Sequence, residues 1–320
     1  MKTWMKWLSV FLLALLLTGC GNNSQDKDNT ETQSDGTLME EQNADETTRT
    51  VEDDFGNTVT IDGSLNSIVS LAPSNTEILY ALGLGDQITG VTEFCNYPED
   101  VQNKPKVSDS VTVNVEEIIA QDPDLVVAYT IGEEGQLDAL EEAGIPIFGI
   151  ESATKIDDVY GDIEQIGAIT GTEEKASELI NEMKEKQADI VAKAKTVEEP
   201  KKVYFEISPA PDIWTAGKNT FQGEFFDLIG AENVFADIEG WSSINEEAVI
   251  DRSPEVILTS VHYEEDPVKN IKERDGWSSI PAVKKDNVYL TEEDIVSRPG
   301  PRIIEGMEEV ASKVYPEIFK

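Results

Sequence analysis

Two short segments of the sequence each carry a pair of adjacent glutamates ahead of a proline and a β-branched run. In "EEIIAQDPDLVVA", Glu116 lies seven residues before Pro123, and in "EEAVIDRSPEVIL", Glu247 lies seven residues before Pro254. Acids in the first turn stabilise a helix by roughly 0.3–1 kcal/mol each, and a proline ends it, so helix chemistry explains either copy alone. An exposed carboxylate also suits bidentate binding of a partner's arginine. The recurrence predicts the same helix-to-strand element in two similar lobes.

Residues suited to metal or nucleophilic chemistry are few. His262 is the only histidine, and no His/Cys/Glu cluster with metal-ligand spacing accompanies it. We therefore expect a solvated or locally hydrogen-bonded loop histidine, with no metal site and no resident cofactor. The chain has no G-x-S-x-G motif and no P-loop, so neither a hydrolase nor an ATPase is expected.

The composition is that of a strongly acidic globular protein. The 320 residues include 64 Asp and Glu against 25 Lys and Arg, a formal net charge of -39, and 39% hydrophobic residues. This length is sufficient for two lobes with their own cores. A surface this acidic repels nucleic acid, so no nucleic-acid partner is expected.

The N-terminus has the features of a bacterial lipoprotein signal. "MKTWMK" supplies two lysines, "WLSVFLLALLL" is too short for a comfortable membrane span, and small residues precede Cys20. This order resembles a lipobox, which implies cleavage after residue 19 and lipidation of Cys20. Residues 20–50, acidic and poor in large apolar side chains, are predicted to be a disordered tether. Cys95 then has no disulfide partner and is expected to be a small core or cleft residue.

The rest of the chain alternates strand and helix patterns in two halves. Residues 51–155 are predicted to form an N-terminal α/β lobe and residues 201–320 a C-terminal α/β lobe. The N-terminal lobe begins with a hairpin at Val51–Ile61. A helix follows Pro73, for which Ser74 or Asn75 is the expected cap.

Residues 156–200 connect the halves and contain one long helical pattern. Apolar residues form a single stripe between Glu173 and Lys195, with acids in the first turn and lysines in the last. Both ends suit the helix dipole. We expect two Rossmann-like lobes joined by one rigid helix, with a ligand cleft between the lobes and limited lobe closure.

Four segments in order carry a family resemblance: "SIVSLAPSNTEILYALGLGDQITGVTEFCNYP", "VNVEEIIAQDPDLVVA", "IWTAGKNTFQGEFFDLIGAENVFAD" and "RPGPRII". They resemble the helical-backbone (class III) substrate-binding lipoproteins of bacterial ABC importers, and within that class the cobalamin binders. The resemblance covers roughly residues 66–315. It implies a monomer that is lipid-anchored at the outer face of a membrane, in a Gram-positive cell, and that binds cobalamin or a related corrinoid.

The resemblance also implies site residues. The aromatic residues matching the family's cleft are Phe94, Tyr129, Trp214 and Trp241, and Arg302 is expected to meet phosphate or amide groups of the ligand. Trp214 is expected in a loop after a strand. The chain departs from the cobalamin binders at Ser110, where they have a tryptophan, and at Phe94, where they have a tyrosine.

One glutamate on each lobe of the family docks into an arginine-containing pocket of the permease dimer, which works with its ATPase. By position these residues are Glu116 and Glu247, with Glu117 and Glu246 as neighbouring acids. A ferric siderophore or haem stays open as the alternative ligand, since Arg252, Arg298 and Arg302 supply positive charge and His262 or Tyr129 an axial ligand. An extracellular lipoprotein enzyme and a structural or adhesive lipoprotein are the rivals from other classes.

Overall fold

A β-hairpin opens the part of the chain that the computed structural model describes, which is residues 48–109, 112–130, 135 and 137–319. Strand β1 (Arg49–Glu52) pairs antiparallel with β2 (Thr58–Ile61). The Asp53 carboxylate accepts hydrogen bonds from the amides of Phe55 (3.0 Å) and Asn57 (2.8 Å), which closes the turn. The predicted hairpin is confirmed.

The N-terminal lobe is a parallel sheet of five strands with helices between them. Its strands are β3 (Ile68–Ser70), β4 (Ile88–Thr92), β5 (Lys106–Ser108), β6 (Leu125–Tyr129) and β7 (Ile147–Ile150). Its helices are α1 (Pro73–Ala81), α2 (Val115–Gln121), α3 (Asp138–Glu142) and α4 (Ile156–Thr170). The strand order is β5-β4-β3-β6-β7. Residues 125–128 of the interior strand β6 are all buried, as expected of a strand covered on both faces.

Helix α1 begins without the predicted side-chain cap, so that prediction was wrong. Its N-cap is Ala72, and Pro73 occupies the first helical position. Proline suits this position because its fixed φ is already helical and no amide hydrogen is needed there. Ser74 and Asn75 lie inside the helix, and the Asn75 side chain donates to the Ala128 carbonyl oxygen instead (3.2 Å).

A single uninterrupted helix, α5 (Glu173–Ala194), follows α4 and leads to the second sheet. At 1.5 Å per residue its 22 residues span about 33 Å. Its buried side chains include Ala176, Met183 and Ile190, which lie on the predicted stripe. One cluster of buried apolar residues extends from the N-terminal sheet along this helix to Phe226. The two lobes therefore share a core beside α5, and the predicted connecting helix is confirmed.

The C-terminal lobe has a mixed sheet. Its strands are β8 (Lys202–Ser208), β9 (Trp214–Ala216), β10 (Glu232–Asn233), β11 (Trp241–Ser243), β12 (Val256–Thr259) and β13 (Val288–Leu290). Its helices are α6 (Phe221–Ile229), α7 (Glu246–Arg252), α8 (Pro267–Glu273), α9 (Pro281–Lys284), α10 (Glu293–Ser297) and α11 (Ile303–Val314). The order is β11-β9-β8-β12-β13, with β10 also on β8. Strand β9 runs antiparallel to both β8 and β11, whereas the N-terminal sheet is parallel throughout.

Short 3-10 turns complete the described elements, at Gly85–Gln87, Glu99–Asn103 and Trp277–Ser279. Within the described ranges, no helix combines the length and the apolar character needed to cross a membrane. The signal predicted for residues 1–19, Cys20 and the tether up to residue 47 lie outside the described residues. The tether was predicted to extend to residue 50, and this bound was wrong, because Arg49 and Thr50 already pair with β2 in strand β1.

Candidate ligand-binding cleft

A cavity of about 510 Å³ lies where the carboxyl ends of the two sheets face each other. The N-terminal lobe lines it with residues that follow β3 and β4, and the C-terminal lobe with residues that follow β12 and β13. The lining residues are Pro73, Glu93, Phe94, Asn96, His262, Glu292, Glu293, Asp294, Ser297 and Arg298. Loops at the carboxyl ends of parallel strands are the usual ligand position in open α/β sheets. The predicted cleft between the lobes is therefore present.

Phe94 is the predicted aromatic residue that lines this cavity. Its side chain is 59% exposed, so the ring is accessible to a ligand in the cavity. Two further tyrosines are also exposed near the lining residues: Tyr97 is 47% exposed and Tyr263, next to His262, is 65% exposed. Both were missed from the sequence, although each lies within three residues of a position that the sequence had singled out.

Tyr129 lies at the end of β6, and its side chain contacts residues of its own lobe. Its hydroxyl donates to Ser152 Oγ (3.0 Å), and its ring packs against the shared core. Burial raises the pKa of Tyr129 above its usual value, with the Ser152 hydrogen bond opposing that shift. The prediction that Tyr129 contacts the ligand is not tested by these contacts and stays a prediction.

The two predicted tryptophans lie on neighbouring antiparallel strands. Trp214 is the first residue of β9 and is 42% exposed, so its predicted position in a loop was wrong. Trp241 is the first residue of β11 and is half-buried. Its ring lies 5.7 Å from the Phe221 ring, and its Nε1 donates to Gln222 Oε1 (3.0 Å). Of the predicted ligand-binding residues, Phe94 alone belongs to the described cavity lining.

Arg302 is held by other protein groups. Its Nε donates to Glu77 Oε2 (2.8 Å) and its Nη2 to Glu77 Oε1 (2.7 Å). The guanidinium also lies 4.0 Å from the centre of the Tyr97 ring, a cation–π contact. The sequence did not indicate the Glu77 partner, because the two residues are 225 positions apart.

His262 forms a contact of 2.5 Å between its Nδ1 and Glu293 Oε2 at the cavity wall. Burial raises the pKa of Glu293, and the charge of His262 opposes that shift. His262 lies in a loop and its side chain is 58% exposed, so the solvated alternative of the predicted solvated or locally hydrogen-bonded loop histidine is confirmed. Across the described residues no group of three or more His, Cys, Asp or Glu side chains is arranged to hold a metal ion.

Cys95 directly follows Phe94 in the chain. The thiol is 3% exposed and lies within hydrogen-bonding distance of the hydroxyls of Thr76 (3.2 Å) and Thr92 (3.1 Å). The expectation of a small, buried residue is confirmed. Ser110, where the sequence departs from the cobalamin binders, lies outside the described residues.

The repeated glutamate element forms the same structure in both lobes. Helices α2 and α7 are each seven residues long, and each has an asparagine N-cap, Asn114 and Asn245, whose side chain accepts an amide hydrogen of the first turn. Each helix ends at a non-glycine residue in the left-handed conformation. Glu116 and Glu247 are both the second residue of their helix, and both are exposed. Neither carboxylate has a hydrogen-bond or ion-pair partner within the described part of the chain.

Two lobes, one long connecting helix and a cavity between facing sheet edges define a class III substrate-binding protein. Consistent with this architecture, the model of the periplasmic binding protein family matches residues 68–295. The chain therefore belongs to the periplasmic binding protein family.

Three known proteins illustrate the similarity. The "Uncharacterized ABC transporter substrate-binding lipoprotein YvrC" of Bacillus subtilis (strain 168) is 42% identical over 319 residues, which is 98% of each chain. A "Vitamin B12-binding protein" of Vibrio parahaemolyticus is 34% identical over 250 residues, 76% of this chain and 87% of that protein. A crystal structure described as a possible iron-binding (periplasmic solute-binding) protein from Staphylococcus epidermidis superposes with a TM-score of 0.72 at 35% identity, covering 79% of this chain and 99% of that one.

This protein is thus the substrate-binding component of an ABC transporter. Proteins of this family are transport components that bind substrates and are not enzymes. They work with a permease and its ATPase and carry a small molecule.

Proposed function

We propose that the protein binds cobalamin or a related corrinoid and delivers it to its permease. The observation that carries the proposal is the charge arrangement of the interlobe cavity. Arg298 is the arginine that lines its described wall, and it is already paired with Glu77 and Asp294. His262, also in the wall, contacts the Glu293 carboxylate. Glu93 and Glu292 add further acids.

A corrinoid fits this charge arrangement better than an anionic ligand does. Cobalamin carries amide side chains, which accept hydrogen bonds from protein donors and donate hydrogen bonds to carboxylates. Its wide flat ring can pack against an exposed aromatic side chain such as Phe94. A haem would bring two propionates, which would have to displace carboxylates from Arg298 or His262. The similarity to a vitamin B12-binding protein of Vibrio parahaemolyticus supports the same choice.

A ferric siderophore is the second candidate. The similarity to the Staphylococcus epidermidis protein described as possibly iron-binding favours it. The acidic cavity wall restricts this candidate to neutral or cationic chelates, such as a ferric trihydroxamate, because an anionic tricatecholate would be repelled by Glu93 and Glu292.

Direct binding separates these ligands. The purified protein is mixed in turn with cyanocobalamin, a ferric trihydroxamate and haem, and tryptophan quenching and the coloured ligand kept after desalting are measured. We expect cyanocobalamin to be retained and Phe94→Ala to weaken its binding about tenfold. Phe55→Ala, which removes a ring of similar exposure on the β1–β2 hairpin, is the matched control. Retention of the trihydroxamate alone would contradict the corrinoid assignment.

We further propose lipid anchoring through Cys20 at the extracytoplasmic face of the membrane, as a monomer. The order of lysines, apolar run, small residues and cysteine supports this, as does the lipoprotein description of the Bacillus subtilis relative. Labelled palmitate should enter the wild-type protein in cells, and Cys20→Ala should abolish that label. Equal labelling of both proteins would exclude this anchor.

Glu116 and Glu247 are proposed to dock the protein on the permease. Both are exposed, unpaired within the described residues, and placed at the same position of equivalent helices in the two lobes. Two equivalent carboxylates suit a permease dimer with two-fold symmetry, and arginines there would fix the orientation.

A further inference from the structure

A buried carboxylate of the N-terminal lobe is shared by two arginines of the C-terminal lobe. Glu77, on α1, is 3% exposed. Arg302 binds it through two hydrogen bonds of 2.8 and 2.7 Å, and Arg298 Nη1 donates to Glu77 Oε1 at 3.1 Å. These three residues are called the interlobe ion cluster. All three of their hydrogen bonds cross from one lobe to the other.

The same arginines hold the segment that carries Phe94. Arg298 donates to the Phe94 carbonyl oxygen (3.1 Å) and to Asn96 Oδ1 (2.7 Å). Asn96 Nδ2 in turn donates to Asp294 Oδ2 of the C-terminal lobe (2.8 Å). With Arg302 packed on the Tyr97 ring, the aromatic segment of one lobe is fixed by side chains of the other.

The charges of this cluster depend on Glu77. Arg298 also pairs with Asp294 (Nη2 to Oδ1, 2.6 Å), so it keeps a carboxylate if Glu77 is neutralised. Arg302 has Glu77 as its carboxylate partner within the described residues. Without that charge two guanidinium groups would face each other in a poorly hydrated place, and their repulsion favours separation of the lobes.

We infer that Glu77 is a positioning residue that sets the distance between the lobes and orients the Phe94–Tyr97 segment at the cavity. Glu77 does not itself belong to the described cavity lining. A cleft that is held at its final width before the ligand arrives loses less conformational entropy on binding. The inference rests on the proposed function where it concerns affinity, but the positioning of the lobes does not require a ligand.

The interlobe distance is the decisive measurement. Spin labels on Ala120→Cys in α2 and Lys269→Cys in α8, both exposed positions, report the distance between the lobes by pulsed electron paramagnetic resonance. The full chain is used in a Cys20→Ala, Cys95→Ser background. Glu77→Gln is expected to broaden the distance distribution and shift it to longer values, and to weaken cyanocobalamin binding by about tenfold or more, mainly through faster dissociation.

The matched control is a buried ion pair that lies within one lobe. Glu206, 1% exposed, accepts two hydrogen bonds from Arg274 (2.5 and 2.9 Å), and both residues belong to the C-terminal lobe. Glu206→Gln is expected to lower the thermal stability but to leave the interlobe distance distribution unchanged. If Glu206→Gln broadens the distribution as much as Glu77→Gln does, the positioning role is wrong.

The outcomes separate the two proposals. An unchanged distance distribution in Glu77→Gln overturns the inference, whatever its affinity. A wild-type protein that retains no cyanocobalamin contradicts the proposed ligand, while the distance measurement still decides the role of Glu77. If Glu77→Gln does not fold, Arg302→Lys tests the same cluster, because lysine keeps the positive charge but cannot make the bidentate contact with Glu77. An unchanged distance distribution in Arg302→Lys would also overturn the inference.

Discussion

At the scale of single residues, Asp162 shows how burial changes the pKa of a carboxylic acid. It lies on α4 and is 5% exposed, beside a cavity that Asp54 and Asp158 also line. Burial, followed by repulsion from these two acids, raises the pKa of Asp162 from 3.8 to about 8. The folded protein therefore holds a proton on Asp162 at pH values where the unfolded chain has released it.

This shift predicts a pH-dependent loss of stability. The contribution of Asp162 to the free energy of unfolding is fully present below about pH 4. It is lost as the pH rises towards 8, by roughly 1.4 kcal/mol per pH unit between those limits. Asp162→Asn copies the protonated form, so it should remove that slope and exceed the wild type in free energy of unfolding at pH 8. Urea unfolding at pH 5, 6, 7 and 8 measures both proteins.

Asp157→Asn is the control for this measurement, since it removes an acid from an exposed position of the same helix. It should leave most of the slope in place. Parallel stability curves for wild type and Asp162→Asn would show that Asp162 is ionised in the folded protein at neutral pH.

At the scale of elements, two helical glycines differ in what surrounds them. A Cβ added to Gly306 in α11 would lie 2.1 Å from the Ile295 carbonyl oxygen of α10. A Cβ on Gly161 in α4 would have no neighbouring atom within 4 Å. The close approach at Gly306 holds α10 against α11, and α10 leads directly to Arg298.

Gly306→Ala should therefore destabilise the protein by roughly 1–3 kcal/mol, because the backbone of α10 must move. Gly161→Ala should instead stabilise it by up to about 1 kcal/mol through helix propensity. Urea unfolding of both variants provides the test. A stabilised Gly306→Ala would mean that α10 moves away from α11 without cost.

The elements themselves were largely predictable from sequence, and the exceptions have physical causes. Helix α5 was predicted within one residue of its end, because its apolar stripe and terminal charges are local signals. The start of α1 was misplaced because Pro73 at the first helical position made a side-chain cap unnecessary. Trp214 was predicted in a loop because a three-residue strand such as β9 has too few positions to show alternation.

At the scale of the whole molecule, Glu116 and Glu247 should act together. The double variant Glu116→Ala, Glu247→Ala should bind ligand as the wild type does but reduce uptake into cells at least about tenfold, because one docking contact is lost on each lobe. Uptake of labelled cyanocobalamin and binding by the purified protein are the two measurements.

The control for docking removes two exposed acids elsewhere. The double variant Glu178→Ala, Glu185→Ala removes two exposed acids of α5, so it changes the net charge by the same amount as the docking variant does. It should leave uptake near the wild-type level. Equal uptake by the docking variant and this control would exclude Glu116 and Glu247 as permease contacts.

The sequence by itself determined the alternation of strands and helices in two halves, the long α5 and the repeated glutamate element, because periodicity, capping and proline act over a few neighbouring residues. Only the tertiary structure decided which side chains meet. Glu77 and Arg302 are far apart in sequence, and the cavity combines loops after β4, β12 and β13. Those contacts depend on strand order and on how the two lobes face each other across α5, which brings together residues that no local pattern relates.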